Sequence, residues 1–201
     1  MKKPYELRDQ WLKAATTSLR KQFKQHGYAV PDDIRISVGF PGGRGGSSGS
    51  QHIGMCWYGE GGIKDGIDQV YISPVLGDPV RVLDVLVHEL CHAAVGIGHG
   101  HKGPFRTLAT AMGLEGKMTA TIAGDDLAVS LTALAKRLGP YPHSALDMSK
   151  RKKQTTRMIK AICEDDQYIV RLSRKMLTEH GAPICPTCQA QMTSDGGGDD
   201  E

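Results

Sequence analysis

The feature that most restricts how this chain can fold is an apolar helical segment that contains two histidines and a glutamate. Asp78 followed by Pro79 predicts a helix start, because aspartate caps helix N-termini and proline suits the first helical position. Residues 80–93 are then mostly valine, leucine and alanine, and a glycine cluster beginning at Gly96 predicts the helix end. Such a helix must be buried, so the polar side chains inside it need partners or a ligand.

His88 and His92 stand four residues apart, so on a helix they share one face with Cβ atoms about 5–6 Å apart. Two imidazoles at that spacing can bind one zinc ion at about 2 Å each. Glu89 lies about 100° around the helix from His88, within reach of a zinc-bound water. This His-Glu-x-x-His pattern is typical of zinc metallopeptidases and predicts Glu89 as the catalytic base. The alternative is a core helix whose histidines are simply hydrogen-bonded.

A catalytic zinc site needs a third protein ligand and one open position. His99 and His101 both follow the helix closely, and the residues alone leave both open as that ligand. The metzincin pattern is excluded, because Val95 and Gly98 occupy the places of its glycine and its third histidine. A glutamate ligand much farther along the chain is a further alternative.

The segment HELCHAAVGIGHGHKGPF resembles the SprT-like zinc metallopeptidases, in particular their phage-type members. The preceding segments IGMCWY, QVYIS and DPVRVLDVLV share this resemblance. In that family His-Glu-x-x-His is followed, after a variable spacer, by Gly-His and an aromatic residue four positions later. His101 and Phe105 have this spacing, whereas His99 would place Gly103 there. The resemblance therefore implies His101 as the third zinc ligand, with His99 as the alternative.

The resemblance also implies a fold and an activity. The expected fold is α+β: residues 1–140 form a compact zincin-like domain, with a small antiparallel sheet beside the His-Glu-x-x-His helix. The domain would be related to the protease domain of Spartan, which cleaves proteins crosslinked to DNA. Zinc lowers the pKa of a bound water to about 7, and Glu89 takes its proton during attack on a peptide carbonyl.

The predicted function is therefore a zinc endopeptidase with a protein substrate, acting on DNA-associated proteins. The alternative is a nucleic-acid-associated regulatory or scaffold protein with a zincin fold and little peptidase activity. An intact Glu89 argues against that alternative, since a scaffold needs no base beside the metal.

Apolar periodicity predicts the remaining elements of the first domain. Helices are expected over residues 5–26, 104–113 and 125–138, and strands over residues 34–40, 53–57 and 69–73. The glycine-rich segment 41–50 is expected to form a mobile hairpin or flap.

A second module is predicted over residues 155–193. Cys185 and Cys188 form a Cys-x-x-Cys knuckle, whose two thiolates can reach one metal. SprT-like proteins often carry a four-cysteine zinc ribbon here, and in this chain Cys163 is present while Asp166 replaces the fourth cysteine. The resemblance implies a second zinc on these four residues, since a carboxylate also binds zinc. The alternative is a degenerate ribbon held by packing alone.

Charge is unevenly distributed along the chain. The net charge of +3 is too small to indicate nucleic-acid binding, but residues 141–154 are predicted to be a basic linker that leads into the second module. The predicted DNA-contacting residues are Lys150, Arg151, Lys152, Lys153, Arg157 and Lys160. A solvated linker is the alternative. Residues 194–201 are predicted to be an acidic, disordered tail.

The N-terminus and the cysteines bear on location. Lys2 and Lys3 precede a polar, amphipathic segment without the apolar core of a signal peptide, and no apolar run is long enough to span a bilayer. An odd number of cysteines, five, suits a reducing compartment and metal binding better than disulfides. The sequence therefore predicts a cytoplasmic protein without a membrane partner, and no pattern indicates an oligomeric state.

Overall fold

The computed structural model describes residues 4–40, 52–150 and 158–194. These residues contain five α-helices and eight short β-strands, which confirms the predicted α+β class. The chain divides into two compact units, Met1–Met148 and Ser149–Glu201. None of the described helices combines the length and the apolar composition needed to cross a lipid bilayer.

The first unit holds four of the helices and two of the sheets. Its helices are α1 (Arg8–Gln25), α2 (Pro79–Val95), α3 (Pro104–Ala111) and α4 (Asp125–Leu138). Its strands are β1 (Arg35–Val38), β2 (Gly54–Trp57), β3 (Gln69–Ile72), β4 (Leu114–Lys117) and β5 (Ala120–Ala123). The predicted helices and the three predicted strands agree with these bounds to within a few residues. The β4–β5 hairpin was not predicted.

The sheet formed by the first three strands differs from the expected one. Its order is β1-β3-β2, and β1 runs parallel to β3 while β2 runs antiparallel to it, so the prediction of an antiparallel sheet is wrong. The most apolar strand occupies the centre: Val70 and Ile72 of β3 are fully buried, whereas β1 is only partly buried. β1 and β2 are therefore not hairpin partners. The predicted flap over residues 41–50 lies outside the described residues.

Helix α2 lies at the centre of the first unit and packs against the other three helices and against β2, β3 and β5. Its first turn forms as predicted, because the Asp78 side chain accepts a hydrogen bond from the Arg81 backbone N–H. The helix is apolar on most of its surface because it is covered on most sides, including by Trp11 and Phe23 of α1 within the same core. It is therefore a rigid support for any side chain it carries.

The end of the first unit lies beyond the predicted boundary at residue 140. The Tyr141 ring is buried 5.0 Å from the Trp11 ring, measured between centroids. The Arg8 guanidinium donates to the Pro142 carbonyl at 2.9 Å, and the Leu146 N–H donates to the Pro74 carbonyl at 3.0 Å. Tyr141 and Pro142 are thus buried against the first unit, and Leu146 is still hydrogen-bonded to it, although residues 143–146 are exposed.

The second unit contains an antiparallel sheet of order β7-β6-β8 and one short helix. The elements are β6 (Ile159–Ile162), β7 (Ile169–Leu172), α5 (Arg174–His180) and β8 (Thr193–Ser194). Ser194, expected to begin the tail, is paired with Ala161 in the sheet. Residues 195–201 of the predicted tail lie outside the described residues.

Candidate metal centre

Three histidine side chains converge at one end of the central helix. His88 and His92 come from α2, and His101 comes from the loop between α2 and α3. The chain reverses in that loop through glycines with positive φ, of which Gly96 (φ 80°) and Gly98 (φ 93°) are the first two. Few other residues adopt this backbone conformation, so these glycines allow the turn that returns His101 to the helix.

The distances from the His101 Nε2 atom to the other two imidazoles are close to those of a tetrahedral metal site. The Nε2 atom of His101 lies 3.3 Å from Nε2 of His88 and 3.2 Å from Nε2 of His92. For zinc bound by nitrogen at 2.0–2.1 Å, the edge of a tetrahedron is about 3.3–3.4 Å. Both separations from His101 are therefore close to that edge, and the three ligand atoms all lie within 4.8 Å of one another, a group compact enough to surround one divalent ion.

The protonation of the histidines also suits a metal. Burial, helped by the neighbouring basic groups, lowers the pKa of His88 to about 4 and that of His92 to about 3. Burial likewise lowers the pKa of His101. The rings are therefore neutral near pH 7, and neutral imidazole is the form that binds metal. The residues present fit a borderline-soft divalent cation such as zinc.

The other ring nitrogen of each α2 histidine faces a hydroxyl group. Nδ1 of His88 lies 2.7 Å from Oγ1 of Thr121, which is buried in β5. Nδ1 of His92 lies 3.4 Å from the hydroxyl of Tyr58, just after β2. If each Nδ1 carries the proton and donates it to its hydroxyl, both Nε2 lone pairs face the same point, which favours a cation there.

A fully buried aromatic ring forms one wall of the site. Phe105, in the first turn of α3, stacks on His92 with the ring centroids 4.1 Å apart. The centroid of the same ring lies 5.0 Å from the centroids of both His88 and His101. Phe105 therefore packs against all three imidazoles and restricts their rotation.

Glu89 lies beside the histidines and is 6% exposed. Burial raises the pKa of its carboxyl to about 8, and a hydrogen bond from the Cys56 backbone N–H offsets part of that rise. The carboxylate reaches β2 at Gly54, where an added Cβ would lie only 2.5 Å from Glu89 Oε1. A buried carboxyl with a raised pKa next to three converging imidazoles is suited to accepting and releasing a proton.

His99 is separate from this group. Its side chain is exposed, and its backbone carbonyl accepts a hydrogen bond from the Lys102 N–H at 3.2 Å. The structure thus brings His101, and not His99, to His88 and His92.

A second group of metal-binding side chains lies in the second unit. Cys163 Sγ lies 3.3 Å from Cys188 Sγ, and Cys185 Sγ lies 3.4 Å from Asp166 Oδ2. The four ligand atoms all lie within 4.8 Å of one another. A hydrogen bond from the Cys188 backbone N–H lowers the pKa of the Cys185 thiol, which favours the thiolate that binds metal. The set of three thiols and one carboxylate is compatible with a divalent metal.

Most of the predicted DNA-contacting run lies outside the described residues, namely Arg151, Lys152, Lys153 and Arg157. The backbone of Lys150 ends a short 3-10 helix. Lys160 lies in β6 directly opposite Arg171 of β7, a base that the sequence analysis did not single out. Like charges placed opposite each other in a sheet repel, and neither base forms an ion pair among the described residues.

Two residues at the histidine site were missed in the sequence. Gly54 lies inside the predicted strand between the apolar Ile53 and Met55, and a glycine within a strand signals close approach of another group, so it could have been found. Thr121 carries no comparable signal, because it reaches His88 from a hairpin that was not predicted. Comparison of this chain with known protein families, with curated proteins and with solved structures finds no match.

Proposed function

We propose that this protein is a zinc-dependent endopeptidase of the SprT-like type, with His88, His92 and His101 as the zinc ligands and Glu89 as the general base. The observation that carries the proposal is the convergence of three imidazoles, with His101 Nε2 3.3 Å from His88 Nε2 and 3.2 Å from His92 Nε2, beside a buried carboxyl. Three ligands leave a fourth position open, which separates a catalytic zinc site from a structural one.

Each residue has a definite part in this proposal. Zinc, when bound, would act as a Lewis acid that polarises a peptide carbonyl and lowers the pKa of water toward neutral pH. Glu89 accepts a proton on its carboxylate oxygen and then donates it to the leaving amine. Burial raises its pKa to about 8, and a nearby cation would lower that pKa and favour the carboxylate that acts as a base.

The second unit supports a second, structural zinc in the same proposal. Cys163, Asp166, Cys185 and Cys188 would close the coordination sphere with four protein ligands, which leaves no open position. Among the described residues of this unit, the core cluster around the site has four buried members, namely Ala161, Met192, Cys163 and Cys185. So small a core gives a metal a large share in the stability of the unit.

We further propose that the substrates are DNA-associated proteins. The support is Lys160 and Arg171, which face each other in the sheet without an ion pair to any described residue, together with the basic residues at 150–157 that precede β6 in the sequence. A phosphate group between the two facing bases would relieve their repulsion.

The proposal is tested by Glu89→Gln, which keeps the shape of the side chain and removes its basicity. We expect the zinc content of the purified protein to stay at the wild-type value. Hydrolysis of an unfolded protein such as casein, with and without added DNA, should fall by about 10²- to 10⁴-fold. The exposed Glu6, changed to Gln, is the matched control and should leave hydrolysis unchanged.

The assignment of the zinc ligands is tested by measuring the zinc content of histidine variants. His101→Ala should remove one zinc per chain, whereas His99→Ala should remove none. Wild-type cleavage by Glu89→Gln would exclude Glu89 as the base. Binding of zinc without any cleavage by the wild type would favour a scaffold.

A further inference from the structure

The two ring nitrogens of His88 have different neighbours. Nε2 faces Nε2 of His101 at 3.3 Å, and Nδ1 lies 2.7 Å from the hydroxyl of Thr121. A neutral imidazole carries its proton on only one nitrogen, and the nitrogen that binds a metal must have a free lone pair. If Nε2 binds zinc, Nδ1 must carry the proton, and the Thr121 hydroxyl oxygen is positioned to accept a hydrogen bond from this N–H.

The backbone of Thr121 is linked to α2 by the Arg81 side chain. Arg81 donates a hydrogen bond to the Thr121 backbone carbonyl at 3.4 Å and forms an ion pair with Asp84. Asp84 and Arg81 lie about one and two turns before His88 on the same helix. The helix that carries His88 is thus joined directly to the strand that carries its partner.

Both partners of the α2 histidines are uncharged. A carboxylate on Nδ1 would add negative charge and make the imidazole a stronger donor to the metal. The Thr121 and Tyr58 hydroxyls can orient the rings without adding charge. A divalent cation held by three neutral imidazoles keeps its double positive charge, and this favours its action as a Lewis acid.

We propose that Thr121 is a positioning residue. Its hydroxyl oxygen accepts a hydrogen bond from the Nδ1–H of His88, which fixes the orientation and the tautomer of the ring and leaves Nε2 free to bind zinc. This inference rests on the proposed zinc site and adds to it a residue from β5. The tighter contact, 2.7 Å against 3.4 Å for Tyr58 and His92, makes Thr121 the stronger of the two hydroxyl partners.

The test compares Thr121→Val, which keeps the shape but lacks the acceptor, with Thr121→Ser, which keeps the hydroxyl. In the full-length protein we expect Thr121→Val to weaken zinc binding at the histidine site by about 10- to 100-fold and Thr121→Ser to restore it. Binding is measured by chelator competition and followed through the imidazole NMR signals of His88, so that zinc in the second unit does not contribute.

Thr16→Val is the matched control. Thr16 is as buried as Thr121, but its hydroxyl donates only to the Leu12 carbonyl within α1. This change should leave zinc affinity at the wild-type value.

A second readout can already be made on the wild type, and Thr121→Val adds a comparison. In the zinc-loaded wild type, the Nδ1 proton of His88 should give a downfield, slowly exchanging NMR signal, and Thr121→Val should lose it. A wild-type His88 that is protonated on Nε2 overturns the inference even if Thr121→Val fails to fold. Equal zinc affinity of wild type and Thr121→Val overturns it while leaving the proposed function intact. If the wild type binds no zinc at His88, both are wrong.

Discussion

At position 54 the absence of a side chain sets how closely β2 approaches the Glu89 carboxyl. A Cβ there would lie 2.5 Å from Glu89 Oε1 and 2.6 Å from Val85 Cγ1, both closer than real Cβ contacts. Val85 is buried, so neither neighbour has free space to move into. Gly54 therefore keeps the carboxyl in place between the strand and the helix.

We predict that Gly54→Ala destabilises the protein by about 1–3 kcal/mol, because an added methyl overpacks this contact. Peptidase activity should fall further than the loss of folded protein explains, since the methyl displaces the Glu89 carboxyl. Chemical denaturation and initial rates of casein hydrolysis measure the two effects.

Gly39→Ala is the control, because Gly39 follows β1 and its added Cβ would come only within 3.3 Å of the Tyr71 ring. It should cost less stability and leave the rate per folded molecule unchanged. A Gly54→Ala protein with wild-type stability and rate would contradict the close packing.

The α2 residues of the site could be predicted because their chemistry depends on local spacing. Four residues along a helix suffice to bring His88 and His92 to one face, whatever the rest of the fold. His101 needed more, because a loop of glycines has no fixed direction. Its selection over His99 depended on Phe105, whose ring does pack against the three imidazoles.

At the scale of elements, the β4–β5 hairpin shows what local patterns miss. Its strands have four residues each, and residues 118 and 119 between them are Met and Thr, without the glycine or asparagine that marks a tight hairpin. Thr121, which lies in this hairpin, therefore had no predictable position. The parallel pairing in the first sheet was missed for a related reason. The place of a strand in a sheet depends on how fully the strand is buried, and β3, the most buried of the three, occupies the centre.

The four metal-binding side chains of the second unit lead to a prediction about the zinc content of the protein. Cys185→Ser should lower the zinc content from two ions per chain to one, because a serine hydroxyl is a poor ligand compared with thiolate. The thermal unfolding of the second unit should shift to lower temperature or disappear. Elemental analysis and calorimetry measure the two outcomes.

Cys91→Ala is the control, since Cys91 is a buried thiol outside both ligand groups. It should leave two zinc ions bound. Asp166→Cys should bind the second zinc more tightly than the wild type does. If the wild type binds a single zinc ion and His101→Ala removes it, the second unit binds no zinc and packing alone stabilises its fold.

At the scale of the whole chain, charge is concentrated in one part of the sequence. Residues 136–175 contain eleven bases and four acids and so carry +7, against +3 for the complete chain. The remaining residues are therefore acidic overall. An anionic polymer would be attracted mainly to this part of the chain.

We predict that the affinity for DNA falls steeply with salt, by roughly 10³-fold between 50 and 200 mM if the six predicted bases contact phosphates. Replacing Arg151, Lys152 and Lys153 with glutamine should reduce the slope of log K against log salt by up to about 3. Fluorescence anisotropy with a labelled duplex and a labelled single strand measures both.

The matched control replaces three exposed lysines of α1, Lys13, Lys21 and Lys24, with glutamine. It removes the same charge and should leave the slope nearly unchanged. An equal loss of slope in both variants would indicate attraction by net charge alone, and a salt-independent affinity would exclude phosphate contacts.

The central place of β3 has a consequence for how the protein folds during synthesis. β1 and β2 leave the ribosome first, but they have no strand to pair with until residues 69–72 follow. The helix that carries His88 begins only seven residues after β3 ends. Assembly of this sheet and docking of the helix therefore become possible almost together, only after about half of the first unit has been made. A nascent chain halted before residue 69 would expose both edge strands to aggregation.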